Sequence, residues 1–494
     1  MPAAPRQRGP GRRSAPAILA LALLGTAAPA EAGTFVPAGD AALRADIQLL
    51  ADYGLISGPV TTWPLSWAPI AAELEAAGED ELPGRVSAAL ARVRAAARRE
   101  TRRGELRAHA AVAGAEKPSR IRSFAATPRE AAEVRAGLDW AGERIVLALD
   151  AQLVDSPDDG RKVRGDNSLL GVTLGNFVLG AGTLDRWWGP GWDGSLILSS
   201  NARPIPALTL DRRFTGPFET PWLRWLGPWD LSVAWGRLES AREVPRARFF
   251  GMRVAFRPLS SLEIGLSRTA QWCGEGRPCG FDTFLDLLAG RDNRGDAGVG
   301  AENEPGNQMA GADFRWSLAP FGLPIAFYGQ LIGEDEAGGL PSRLLAQAGL
   351  EGLGDAGERW SYRWFGEVVD TSCGFYESDD NFDCAYHHGT YRTGYRYRGR
   401  AIGHGADNDA RLVTAGLMLF DDAGRRLSFL ARFGELNRGG VADPRHSLTP
   451  VPQDLASFDV AWSRDTRFGV LELGAGVERA GTTDYRGFLR WRTP

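Results

Sequence analysis

From Glu105 onward, apolar residues recur at every second position. Ile145-Leu147-Leu149-Ala151-Leu153, Leu170-Val172-Leu174, Met252-Val254-Phe256, Leu262-Ile264-Leu266, Trp360-Tyr362-Trp364 and Leu471-Leu473-Ala475-Val477 alternate with Gly, Ser, Arg, Asp or Glu. A period of two gives a strand one apolar and one polar face. Sustained over most of a chain, it leaves two solutions: an array of wet sandwiches or a membrane barrel.

Connection lengths favour the barrel. Alternate connections are short: Ala141–Arg144, Gly175-Asn176, Arg257–Ser261, Ala319–Pro324, Gly352–Arg359, Asp421–Arg425 and Arg464–Arg467. The others tend to be long and polar: 114–130, 156–167, 185–203, 270–310, 370–408 and 437–454. Such alternation is expected of a meander with brief periplasmic turns and large external loops. The stretch 214–230, with Thr220-Pro221-Trp222-Leu223-Arg224-Trp225, should be short and is not. The fold class expected is an all-β outer-membrane barrel of about 18 antiparallel strands, an even count that brings the C-terminus back to the periplasmic side. Closure also disposes of sheet edges. Trp316, Phe327, Tyr328 and Trp462 near strand ends suit interfacial girdles.

Ahead of the strands, residues 33–104 read as a small helical bundle at the periplasmic end. Asp40 can cap a segment with Leu43, Ile47 and Leu50 on one face, closed by Gly54. Ser66 precedes a second segment with Ile70 and Leu74, and Pro83 opens a third with Val86, Leu90 and Val93. Residues 105–494 are then the barrel. At the N-terminus, Arg6, Arg8, Arg12 and Arg13 precede the apolar Ala15 to Leu24 and the small-residue site Ala30-Glu31-Ala32. This is the pattern of a secretory signal peptide, residues 1–32, removed after Ala32. Its loss takes away four arginines and one glutamate and moves the formal net charge from −4 to −7. An exposed protein of that charge is a poor nucleic-acid binder. The pairs Cys273/Cys279 and Cys373/Cys384 lie in loop-like sequence and are expected as two local disulfides in an oxidising compartment. Zinc is the alternative, with His387 and His388 nearby, but neither pair has the usual spacing.

Two loops carry unusual chemistry. Asp185-Arg186-Trp187-Trp188-Gly189-Pro190-Gly191-Trp192-Asp193, followed by Asn201-Ala202-Arg203-Pro204, sits in an outward connection. Indoles with carboxylates and an arginine could match the apolar face and hydroxyl rim of a sugar. Alternatively, Asp185 and Arg186 form salt bridges in the lumen while the tryptophans wedge a folded-in loop. The second candidate, 370–408, interleaves Tyr376, Tyr386, Tyr391, Arg392, Tyr395, Arg396, Tyr397 and Arg398 with His387, His388 and Arg400. These could stack on sugars and pair with uronate or pyruvate carboxylates, or simply decorate an extended hairpin. The chain has no G-x-S-x-G, no H-E-x-x-H and no phosphate-binding loop, and His109, His404 and His446 are isolated. No enzyme, cofactor or metal is expected.

The stretches Leu49–Leu65 (LLADYGLISGPVTTWPL), Gly182–Gly191 (GTLDRWWGPG) through Ala202-Arg203-Pro204-Ile205-Pro206, and Pro217-Phe218-Glu219-Thr220-Pro221-Trp222 resemble the capsule assembly Wzi family. The resemblance covers most of the mature chain. It implies an outer-membrane barrel with a periplasmic helical bundle, acting as a lectin that holds capsular or exopolysaccharide on the cell. The implied partners are that polymer, outer-membrane lipid and the barrel-assembly machinery, with the chain a monomer. Barrel proteins commonly end in an aromatic assembly signal; here Trp491 is left to serve from inside Phe488–Pro494. Two rival functions remain: a diffusion porin, and a barrel-embedded glycan hydrolase.

Overall fold

The computed structural model describes residues 35–78, 82–288, 306–337, 340–376, 381–421, 423–439 and 443–493. The leader assigned to 1–32 and the acidic later part of loop 270–310 fall largely outside these residues. Among them, the two-residue period becomes one closed antiparallel barrel of eighteen strands. These are β1 (Leu106–Glu116), β2 (Ala132–Ala141), β3 (Ile145–Asp155), β4 (Leu169–Leu174), β5 (Phe177–Gly182) and β6 (Ala207–Arg212). Next come β7 (Trp229–Arg237), β8 (Arg248–Leu259), β9 (Leu262–Trp272), β10 (Gly306–Ser317), β11 (Ile325–Ala337) and β12 (Leu340–Asp355). The last are β13 (Trp360–Asp370), β14 (Arg411–Asp421), β15 (Arg425–Leu436), β16 (Gln453–Thr466), β17 (Gly469–Ala480) and β18 (Thr482–Arg492). Each strand pairs with the next, and β18 closes on β1 from Gly487↔Glu116 to Arg492↔Ala111.

The two faces of the wall decide its solvent. Leu138, Leu149, Leu170, Leu266, Leu331, Val413 and Phe433 point outward and are exposed. Arg253, Thr269, Gln271, Arg315, Glu351, Glu367 and Arg432 alternate with that set and are buried inside. A water-soluble sandwich would invert this arrangement; a lipid-embedded barrel requires it, because closure leaves no unpaired backbone in hydrocarbon. Trp316 and Phe327 lie opposite one another, exposed, at the turn end of β10 and β11, as girdle residues should. Tyr328 does not belong with them. The period turns it inward, where its hydroxyl donates to Glu367 at 2.8 Å.

The short turns fall where connection length places them, and 213–228 is the long exception, with an exposed Trp225 inside a short helical turn at Arg224–Leu226 and an exposed Trp222 just before it. Strict alternation fails on the other side. β17 and β18 are joined by Gly481 alone, and β11 and β12 by 338–339. There the strands themselves are long, up to 16 residues in β12, so the wall rather than a loop projects.

Among the described residues three helices precede the barrel: α1 (Ala41–Asp52), α2 (Trp67–Ala76) and α3 (Gly84–Glu100). Asp40 caps α1 by accepting from the Ala42 and Leu43 amides at 3.1 and 3.0 Å, and Gly54, at φ 76°, ends it. Ile47, Leu50, Ile70, Leu74, Val86, Leu90 and Val93 share one core with Trp63, Trp67, Phe124 and Trp187. The opposite stripe of α1 is buried too. Gln48 accepts from Arg363 at 2.9 Å, and Asp52 receives both arms of Arg315 at 2.6 and 2.8 Å. Glu263 holds the amides of Val60 and Thr61, both at 2.9 Å. The helical unit is therefore fastened into the turn end of the lumen.

Candidate functional site

The connection 183–206 turns into the barrel. Arg186 pairs with Asp211 at 2.8 and 2.9 Å and reaches Ser232 at 2.6 Å; Asp185 is held by Asn167 at 3.0 Å. Trp187 and Trp188 are fully buried and Trp192 is 2% exposed. The Trp187 indole donates to the Gly191 carbonyl at 3.1 Å, and the Trp192 indole to Glu351 at 2.6 Å. Asp193 receives the Arg432 guanidinium at 2.7 to 3.0 Å and the Thr414 hydroxyl at 2.8 Å. Of the two readings of this segment, the folded-in wedge is the one observed. The sugar-stacking alternative fails for all three indoles because no ring face is free. Gly189 has φ +139°, where a Cβ would also lie 2.8 Å from the Gln330 amide; at Gly194 it would meet His404 at 1.9 Å. From the helical side, Arg44 donates to the carbonyls of Pro190 and Gly191 at 2.5 and 2.9 Å and lies 4.1 Å over the Trp192 ring.

The connection 371–410 covers this plug. Tyr386, Tyr391, Tyr395 and Tyr397 are all at most 3% exposed, and Arg396 is 1% exposed. Tyr386 donates to the Leu196 carbonyl at 2.7 Å, Tyr395 to Ile197 at 2.8 Å and Tyr391 to Cys273 at 3.1 Å. Arg396 is bonded to Asp407 at 2.7 and 3.0 Å and to Asn408 at 2.6 Å, and its charge holds the Asp407 carboxyl far below the ordinary range against the cost of burial. These five side chains were expected at a sugar surface. A phenol buried in an apolar core needs an acceptor; the plug supplies a carbonyl for Tyr386 and Tyr395, and the end of β9 supplies one for Tyr391. What stays outward is different: Tyr376, 57% exposed, and Arg392, with Arg398 and Arg400 partly covered by Asp159 and Asp158. Arg445 joins Arg392 from the neighbouring connection through the Arg392 carbonyl at 3.1 Å.

Residues 101–487 match the model of a family described as capsule assembly protein Wzi. The chain belongs to that family. A Klebsiella pneumoniae relative, described as an uncharacterized 55.8 kDa protein in the cps region, is 35% identical over 335 residues, which are 67% of this chain and 64% of the relative. The aligned part thus spans just under two thirds of that relative. The solved Wzi of Escherichia coli, an outer membrane protein involved in group 1 capsule assembly and described as a carbohydrate-binding β-barrel, superposes with a TM-score of 0.82 at 27% identity. The match covers 93% of this chain and 99% of that one. The Wzi resemblance and the outer-membrane barrel read from the sequence both stand.

In this Wzi-family barrel the cysteines are joined as Cys273–Cys279 and Cys373–Cys384, so none is left for zinc among the described residues. One grouping has metal-ligand types: His387 lies 2.9 Å from Asp443 and 4.0 Å from Asp383. Arg396 approaches the same His387 nitrogen at 3.4 Å and Arg445 pairs with Asp443 at 2.8 Å, so two guanidiniums already supply the positive charge there. Burial, Arg396 and Arg445 push His387 down to about 4, and burial does the same to His404. Both imidazoles are neutral at pH 7 and serve the loop packing. Residues that sequence reasoning missed are Arg44, Glu351, Glu367, Asp407 and Arg432. Those on strands were visible as the polar half of the alternation; what they face was not.

Proposed function

We propose that this Wzi-family chain is a non-catalytic outer-membrane lectin that attaches capsular or exopolysaccharide to the cell surface. The observation that carries the reading is the double closure of the lumen by the chain's own residues. Arg44 of α1 grips the 183–206 plug from one end, and the tyrosines of 371–410 seal it from the other. A barrel filled in this way is poorly suited to passive diffusion, which counts against the porin. The likeness to a carbohydrate-binding barrel over 93% of the chain supports a glycan partner.

The surface assigned to that polymer is the outward rim: Tyr376, Arg392, Arg398, Arg400 and Arg445. Guanidiniums with an aromatic ring suit acidic sugars, whose carboxylates accept paired N–H bonds. We take the chain to be exported with residues 1–32 removed, folded into outer-membrane lipid by the barrel-assembly machinery around the 33–104 helical unit, and active as a monomer.

Purified protein on a surface, exposed to capsular polymer, should retain it without shortening it. Shortened chains would replace the lectin with a hydrolase, and rapid solute entry in liposome swelling would reinstate the porin. Deleting the gene should leave polymer made but shed into the medium; arrested synthesis would end the anchoring idea.

A further inference from the structure

Two residues after Cys279, itself bonded to Cys273 at the end of β9, the chain forms α4 (Phe281–Leu288). The helix lies outside the barrel wall. Strand alternation fixes this: on β8 and β9 the lumen set is Arg253, Thr269 and Gln271, so Phe250, Met252, Ala270 and Trp272 face out. Phe284 packs on that outward set, with ring centroids 5.1 Å from Trp272, 5.2 Å from Phe250 and 4.6 Å from Trp235 of β7. Trp272 is only 1% exposed although its position points towards lipid. Arg268, also outward, donates to the carbonyls of Leu287 and Leu288 at 2.7 and 3.0 Å, tying down the C-terminal end of the helix.

Contact with the wall uses only part of the apolar arc of α4. Phe281 and Leu285, one turn apart, are 74% and 49% exposed. At about 100° per residue, Asp282 and Asp286 follow on the next sector round, away from the wall. Two large apolar side chains left in water forgo the gain of burial. The wall they stand beside carries the same kind of exposed outward apolar residue, Leu266, Phe314 and Leu331 on β9, β10 and β11.

We propose that α4 is an external clip seated in the outer leaflet. Phe281 and Leu285 enter the acyl region beside the wall, and Asp282 and Asp286 stay at headgroup level, the disposition of an interfacial amphipathic helix. Two side chains on eight residues are far too little for a stable interface with a second copy, which needs on the order of 1,000 Å²; a lipid surface asks for no such area.

No free cysteine occurs among the described residues, and all four cysteines of the sequence are paired, so an introduced one labels alone. Phe281→Cys, Leu285→Cys and Asp282→Cys, each labelled on the folded full-length protein with an environment-sensitive dye, go into phosphatidylcholine vesicles with and without acyl-chain nitroxide lipid. Positions 281 and 285 should shift to the blue, lose quenching by aqueous iodide and gain quenching by nitroxide; position 282 should keep its iodide quenching. Equal iodide quenching at all three positions would overturn the proposal. So would protection at 281 and 285 that disappears on diluting the protein in the bilayer, which would assign the face to a second copy.

Discussion

The connections 183–206 and 371–410 both set aromatic rings beside arginines, yet they are held by different means. The first is fixed by charged side chains of the wall: Asp211 on Arg186, Arg432 on Asp193, Glu351 on the Trp192 indole and Glu367 on the Trp192 and Asp193 amides. The second meets the wall through Tyr391 on the Cys273 carbonyl and Tyr395 beside Phe249, and is tied to the first by the phenol-to-carbonyl bonds of Tyr386 and Tyr395. A plug keyed to the barrel can form only inside that barrel. A cover keyed to the plug depends on the plug being there. Aromatic and guanidinium content alone does not distinguish a wedge from a binding face; what each group is offered as a partner does.

The sharpest way to break the contrast is Asp193→Ala. Arg432, fully enclosed, would keep only Asp459 at 3.7 Å, and stranding a buried charge costs about 3–5 kcal/mol. Both connections should loosen together, seen as proteolysis at both and a lower temperature for loss of heat-modifiable migration. If only 183–206 became cleavable, the dependence of the cover on the plug would be refuted.

Acid should come next in size, and should act on the cover first. His387 and His404 titrate near 4 when folded, against an ordinary value near 6.5 when unfolded. An imidazole depressed in the folded state contributes fully above about 6.5, and that contribution is lost as pH falls from there towards 4. The groups around His387 are Arg396, Arg445, Asp443, Asp407 and Asp383; those around His404 are Asp193 and Arg432. Cleavage of 371–410 by a protease active at both pH values should therefore rise between pH 7 and pH 5. A flat profile would mean that the imidazoles are not held neutral.

How much of this was legible beforehand follows from what alternation can encode. Leu170-Val172-Leu174 announces a strand and which side of it meets lipid, because a face is a property of the strand itself. Glu351 and Glu367 were equally visible as inward residues, but the plug residue that both hold, Trp192, sits more than 150 positions away. No local pattern records such a pairing. The tyrosines show the same limit: sequence gave their number and spacing, while Leu196 and Ile197, whose carbonyls turn the rings inward, belong to another loop. On α1 the apolar stripe was readable and the buried polar stripe Arg44-Gln48-Asp52 was not, because a helix with a polar side normally shows that side to water.

Removing two hydroxyls tests the hinge between the regions more gently. Tyr386→Phe with Tyr395→Phe keeps the rings and deletes two bonds to the plug, each worth about 1 kcal/mol. Hydrogen exchange should quicken in 371–410 while the Trp187–Trp192 amides stay protected. Equal quickening in both would show that the cover supports the plug as much as the plug supports the cover.

The smallest effect belongs to the free side of the cover. Arg392 is exposed, so Arg392→Ala should leave stability within about 0.5 kcal/mol, whereas Arg445→Ala also takes a partner from the buried Asp443 and should cost about 1 kcal/mol. Against acidic polymer each lost guanidinium should weaken binding by about 1 kcal/mol, roughly fivefold per site, with the two nearly additive if they meet separate carboxylates. The deficit should shrink in high salt, because exposed charges are screened over about a Debye length. Should the double variant bind polymer as the parent does, the Arg392–Arg445 part of the rim is not the binding face, and its Tyr376 part becomes the next surface to substitute.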